Sequence, residues 1–361
     1  MRYIGLQEVE DISLGAAVMA SGGGGNPYLG TLIAKECVNT YGPIQLLTLD
    51  EIPDDWKIAV SMGLGAPSVL VEKVPNGREA GWAMEVLEHA VGHGFDAVMA
   101  SEAGGWNSLH PMLPAAERHL PLIDADGMGR AFPQLDMETW SVAGLSCNPI
   151  GVADERGNKL CVYSHTNKMG EDICRSATVA MGGNISTACY HMTGRFAKDH
   201  SVWGTYTLCE TVGRIIRLGR AGELDTYAEL QKTLRFKELF RGKIQDVERR
   251  TEGGFTRGLC QLEGFEDYEG SSMEVRFQNE YLVASVNGQV KCVTPDLIVM
   301  FDTESFYPIT SEQLKYGCRA LVVGVPCAQQ WRTPEGLAVV GPELGFGYPD
   351  IAYAPVEELN A

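Results

Sequence analysis

Polar residues in the first 170 positions have the types and spacing that chemistry needs. In the run Leu122-Ile123-Asp124-Ala125-Asp126-Gly127-Met128-Gly129-Arg130-Ala131-Phe132-Pro133, two aspartates alternate along a strand-like segment and an arginine follows. Residues at i and i+2 of a strand share a face, so Asp124 and Asp126 are expected to share a proton, which raises one carboxyl into the range useful for acid–base work. The same oxygens suit a divalent cation as the alternative occupant. Arg130 either clamps a ligand carboxylate or pairs with one of the aspartates. A plain Asp-Gly turn with an internal ion pair is the structural alternative.

A second cluster, Ser101-Glu102-Ala103-Gly104-Gly105-Trp106-Asn107-Ser108-Leu109-His110-Pro111, follows the apolar segment DAVMAS. That places Glu102 and Asn107 at the C-terminal end of a strand, where open α/β sheets bind ligands. Glu102 is a candidate base, with helix capping as the competing role. The third feature is the run Ser21-Gly22-Gly23-Gly24-Gly25-Asn26-Pro27 just before a helical segment. Four successive glycines cost backbone entropy, and their N–H groups together with a helix N-terminus can cradle an anion or a carbonyl oxygen. The run lacks the Lys-Ser/Thr of a P-loop and the spacing of GxGxxG, which argues against a nucleotide. Gly65, in the loop Gly63-Leu64-Gly65-Ala66-Pro67, and His165 and Lys168, after a hairpin, are further ligand-contact candidates. His89 and His93 stand four apart without the glutamate of HExxH, and no GxSxG supports serine catalysis.

The elements that would position these residues alternate in type. Helices are expected over 7–20, 27–40, 78–92 and 111–118, and strands over 44–49, 57–65, 96–101 and 120–127. Such alternation predicts a layered α/β domain. The segment SVAGLSC is read as a strand, and IGVAD and KLCVYSH flank the turn ERGN as a hairpin. Helices follow over 168–183, 201–220 and 223–235. After Phe236 the chain reads as strands and turns, including GLAVVGP near the end, with Asn287-Gly288 as a hairpin turn. The expected fold is therefore α/β over 1–236, with a smaller all-β domain, barrel or sandwich-like, over 237–361. The last residues are expected to pack back on the first domain.

The bulk composition narrows the partners. The chain has 361 residues with a formal net charge of −18, which argues against nucleic acid or an anionic membrane surface because both would be repelled. The ten cysteines include no CxxC and sit largely in apolar runs, so they read as buried thiols of a cytoplasmic protein. No basic start leads into an apolar stretch, and no window approaches a membrane span. A small molecule is the expected partner.

The segments SGGGGNP, GLGAP, SEAGGWN, PLIDADGMGRAFP, TPDLIVMFDTES, WRTPEGL and VGPELGFGY together resemble the S-methyl-thiohydantoin desulfurase-like family over nearly the full length. The resemblance implies an N-terminal α/β domain, a smaller C-terminal β domain, and kinship with the hydantoinase A and oxoprolinase group, which acts on five-membered cyclic amides. It implies a hydrolase that replaces the S-methyl group of a thiohydantoin by oxygen. A non-catalytic ligand-binding or regulatory subunit of a hydantoinase-type complex is the alternative. The resemblance covers the glycine run, Glu102, Asn107, Asp124, Asp126 and Arg130 without assigning their roles. No cofactor is required by the sequence, and a homo-oligomer or a hydantoinase-type partner subunit is the expected assembly.

Overall fold

The computed structural model describes residues 1–24, 27–65, 73, 75–252 and 255–361. Its first half is built on an eight-stranded mixed sheet in the order β1-β2-β5-β4-β3-β9-β7-β8. These strands are β1 (Arg2–Ile4), β2 (Ile44–Leu47), β3 (Lys57–Gly65), β4 (Ala97–Ala100), β5 (Leu122–Ile123), β7 (Ile150–Ala153), β8 (Lys159–Val162) and β9 (Asn184–Thr193). The run β2-β5-β4-β3 is parallel, and β9 joins β3 antiparallel. β6 (Ala125–Asp126) and β10 (Val202–Trp203) form a separate two-stranded pair.

One apolar cluster, with Val9, Ile12, Met84, Leu87 and Val212, lies between the sheet and the helices Leu6–Met19, Glu79–Val91 and Thr205–Arg220. Another, with Ile58, Val60, Trp140, Ile150 and Tyr190, covers the opposite face. Apolar burial on both faces explains why β3 and β4 read as unbroken hydrophobic runs.

The second half is a seven-stranded antiparallel sheet in the order β15-β14-β13-β12-β11-β17-β16, curled into a half-barrel. Its strands are β11 (Lys237–Glu252), β12 (Phe255–Gly264), β13 (Ser272–Gln278), β14 (Glu280–Val286), β15 (Gln289–Val293), β16 (Leu297–Asp302) and β17 (Arg319–Val325). The β14–β15 turn has Asn287 at φ 48° and Gly288 at φ 79°, the left-handed pair that a two-residue hairpin requires. Along β16, Ile298 and Met300 face the half-barrel interior with Phe240 and Phe277, whereas Leu297, Val299 and Phe301 pack with Ile12 and Val18 of the first half. This strand joins the two halves. Among the described residues no helix is long and apolar enough to cross a membrane.

The strand expected over 120–127 breaks at Asp124 into β5 and β6, which belong to different sheets, and three further segments depart from the sequence reading. SVAGLSC contains the end of a short helix, Thr139–Val142, followed by turns. GLAVVGP lies in the helix Pro334–Val340, started by the Thr333 hydroxyl accepting the Gly336 N–H at 3.1 Å. Both are short apolar runs, for which periodicity alone does not separate helix from strand. The stretch between the expected helices 168–183 and 201–220 supplies β9, a central strand, and the short helix Gly194–His200.

Candidate functional site

β3 and β4 end side by side where the sheet changes from parallel to antiparallel pairing, and a cavity of about 80 Å³ opens there. The end of β3 brings Gly63 and Gly65, the turn after β4 brings Ser101 and Glu102, and the 3-10 turn Gly105–Ser108 brings Trp106 and Asn107. Gln134, Asn184 and Asn279 add side-chain amides to the wall. The half-barrel contributes Glu280, the first residue of β14.

The glycine run is what lets the half-barrel reach this cavity. Gly22 and Gly24 adopt φ of 86° and 69°. A Cβ at Gly22 would lie 2.4 Å from the Tyr281 ring, and one at Gly23 would lie 2.0 Å from Glu280 Oε1. The run docks through backbone bonds: Tyr281 N–H donates to Ser21 O at 2.7 Å, Ser311 N–H to Gly22 O at 2.8 Å, and Trp106 N–H to Gly24 O at 2.9 Å. Gly24 N–H in turn donates to Glu280. Gly24 lines the cavity, while Gly22 and Gly23 serve the docking. Gly25 and Asn26 lie outside the described residues, as do Ala66 and Pro67 of the second glycine loop.

Glu102 is buried, its Oε1 accepting from Asn107 Nδ2 at 2.8 Å and its Oε2 from Phe132 N–H at 3.1 Å. Asn107 is itself held by accepting the Gly63 N–H at 2.8 Å. Burial, reinforced by the neighbouring Glu280 carboxylate, pushes Glu102 well above the usual carboxylate range. Burial pushes Glu280 up to about 7, and Arg130, Gly24 N–H and Arg175 limit the rise. Glu280 Oε2 has no hydrogen-bond partner among the described residues. Two buried carboxyls, one from each half of the molecule, thus line one cavity. Such a pair ionises in steps, one member keeping its proton while the other loses it.

The aspartates of the 122–133 segment are differently employed. Asp124 Oδ1 accepts the Thr207 N–H at 3.0 Å, and Oδ2 accepts the Thr207 hydroxyl, so this carboxylate caps the helix Thr205–Arg220. Asp126 accepts three backbone N–H groups, from Ala103 at 2.6 Å, Met128 at 3.1 Å and Gly129 at 2.7 Å. Burial pushes Asp126 up to about 7 against the pull of these donors. Among the described residues no hydrogen bond joins Asp124 to Asp126. The expected shared proton is replaced by two separately satisfied groups, because the Thr207 N–H and hydroxyl occupy Asp124 while three backbone N–H groups occupy Asp126.

Arg130 is fully buried and is not among the residues lining the cavity, donating to Ala131 O at 3.0 Å, Pro295 O at 2.9 Å and Asp296 O at 3.0 Å, with its guanidinium 4.6 Å over the Phe132 ring. It ties the halves together and lends positive charge to Glu280. His165 and Lys168 are exposed, and Lys168 pairs with Asp172 one turn along its helix. The cation on the cavity wall is instead Arg175, held by Glu171 Oε1 at 2.6 Å and by Pro133 O at 3.1 Å.

Sequence reasoning also missed Glu280, Trp106, Ser101 and Glu138. Ser101 donates to the buried Glu138, whose second oxygen has no partner among the described residues; burial pushes that carboxyl well above the usual range. The one signal for Glu280 is an acidic residue opening the apolar run EYLVASV. Among the described residues no group of three or more His, Cys, Asp or Glu side chains is arranged to hold a metal ion.

Family models of the S-Me-THD-like N-terminal and C-terminal domains match residues 7–164 and 165–356. The split falls before the helix Asn167–Ala180, so β9, from the C-terminal match, completes the N-terminal sheet. No curated protein matches the chain. A crystal structure of a protein from Chromobacterium violaceum is similar with a TM-score of 0.78 at 24% identity, covering 99% of this chain and 100% of that one. At that identity the likeness shows a common fold.

Proposed function

This chain belongs to the S-Me-THD-like family, and from that premise we propose that it is a hydrolase of a hydantoin-like five-membered ring, replacing the S-methyl group of a thiohydantoin by oxygen. The observation that carries the reading is the pair Glu102 and Glu280, two buried carboxyls on one cavity. Glu280 ionises first, because Arg130, Arg175 and the Gly24 N–H favour its charged form. It is the general base. Glu102, buried and with the Glu280 carboxylate as its main negative neighbour, retains its proton and is the general acid.

In the reaction Glu280 takes a proton from water as the oxygen attacks the ring carbon bearing sulfur, giving a tetrahedral intermediate. Glu102 then protonates the departing methanethiolate as the C–S bond breaks. The imidic-acid product gives its hydroxyl proton to the Glu102 carboxylate as Glu280 passes its proton to the ring nitrogen, so the ring carbonyl forms and both carboxyls return to their starting states. The products are the hydantoin and methanethiol. Arg175, on the cavity wall, binds a negatively charged ring substituent, the role expected of Arg130 from the sequence.

The test is thiol release from an S-methylated thiohydantoin bearing a propionate side chain, with wild type, Glu280→Gln and Glu102→Gln, with and without a chelator. Turnover in the wild type and its loss in both variants support the reading; loss on chelation alone would assign part of the chemistry to a metal. Absence of turnover in the wild type, with the compound still raising its melting temperature, favours a ligand-binding subunit.

A further inference from the structure

Two residues that line the cavity each carry a buried polar atom without a partner among the described residues, and the two atoms are opposite in kind. Trp106 Nε1–H is a donor and Glu280 Oε2 an acceptor. A buried donor or acceptor left unpaired carries its full desolvation penalty, so a ligand that satisfies both recovers binding energy at two points. The indole has no freedom to find a partner elsewhere. Its ring stands edge-on to His110 with centroids 5.6 Å apart, and His110 is fixed between Ser61 Oγ at 3.1 Å and Ser186 Oγ at 2.9 Å. On the other side, a Cβ at Gly63 would lie 2.6 Å from the indole nitrogen. The absence of that atom makes room for it.

We propose that Trp106 determines specificity at this site: its indole N–H binds an acceptor on a planar neutral ring while Glu280 accepts a ring N–H. The ligand class that fits carries both a ring N–H and a carbonyl or thiocarbonyl. A ring with only one of the two leaves an orphan in place, and a small carboxylic acid meets repulsion from the Glu102 and Glu280 pair. This rests on the reading of the cavity as the ring site, but it concerns recognition and does not need turnover.

Calorimetric titration tests it with three probes of similar ring size: hydantoin, which has both features; 1,3-dimethylhydantoin, which lacks the N–H; and pyrrole, which lacks the acceptor. Wild-type protein is expected to bind hydantoin at least about tenfold more tightly than either of the others. Trp106→Phe is expected to weaken hydantoin about tenfold and leave pyrrole unchanged. Equal binding of hydantoin by wild type and Trp106→Phe overturns the proposal, and so does wild-type protein that binds hydantoin no better than pyrrole, or not at all. The ligand series on wild type needs no substitution, so a variant that fails to fold does not remove the test. Preserved discrimination with no thiol release would leave Trp106 its role and remove the hydrolase reading.

Discussion

Asp126 and Glu280 are both buried, and burial pushes both up to about 7. What separates them is what remains free. Both Asp126 oxygens are occupied by backbone N–H groups that hold residues 103, 128 and 129 in place, and the group lies off the cavity wall. Glu280 has one oxygen without a partner among the described residues and lies on that wall. A displaced titration marks burial wherever it occurs; an unused oxygen on a residue that lines a cavity marks a group to test for ligand binding.

The largest effect that sharpens this contrast is on turnover. Glu280→Gln and Glu102→Gln are each expected to lower thiol release by about 10²–10⁴-fold with the cooperative unfolding transition retained. Gly23→Ala comes next: its Cβ would lie 2.0 Å from Glu280 Oε1, so the carboxyl must move. Overpacking of this kind costs about 1–3 kcal/mol, and denaturant unfolding together with thiol release should show both losses at once. Asp126→Asn puts an N–H donor against backbone N–H groups, and a loss of about 1–3 kcal/mol with turnover of the folded fraction maintained is expected. Turnover lost at unchanged stability in that variant would break the comparison. The smallest effect belongs to Asp124→Ala, which removes a helix cap worth about 1 kcal/mol and is expected to leave thiol release per folded molecule intact.

The same contrast explains what the sequence could and could not disclose. Glu102 and Asn107 are legible because a strand end is a local feature, and a polar cluster directly after DAVMAS announces one. Asp124, Asp126 and Arg130 are just as conspicuous, but whether a carboxylate is occupied depends on which distant backbone meets it, here Thr207 and Ala103. Glu280 enters the cavity through a docking between residues 21–24 and β14 that no local pattern encodes. The glycine run is conspicuous in the sequence as a cradle for an anion or a carbonyl oxygen, whereas what Gly22 and Gly23 admit is another strand. β9 was missed for a related reason: NISTACYHMT is polar at one end and becomes a central strand only through pairing with β3 and β7. The alternation in the second half, by contrast, is local, and the half-barrel follows from it.

The most direct test of the central claim compares thermal unfolding of wild type and Glu280→Gln at pH 5 and pH 8.5, with thiol release measured on the same samples. Glu280 is raised from its ordinary 4.5 to about 7 in the folded protein, so between those values the folded chain holds a proton that the unfolded chain has lost. Its contribution therefore turns against folding as pH rises through that window and levels off above about 7, to a cost of about 3 kcal/mol. The account predicts that Glu280→Gln is nearly as stable as wild type at pH 5, more stable at pH 8.5, and inactive at both. A variant that is less stable than wild type at pH 8.5, or that still releases thiol at the wild-type rate, would contradict it.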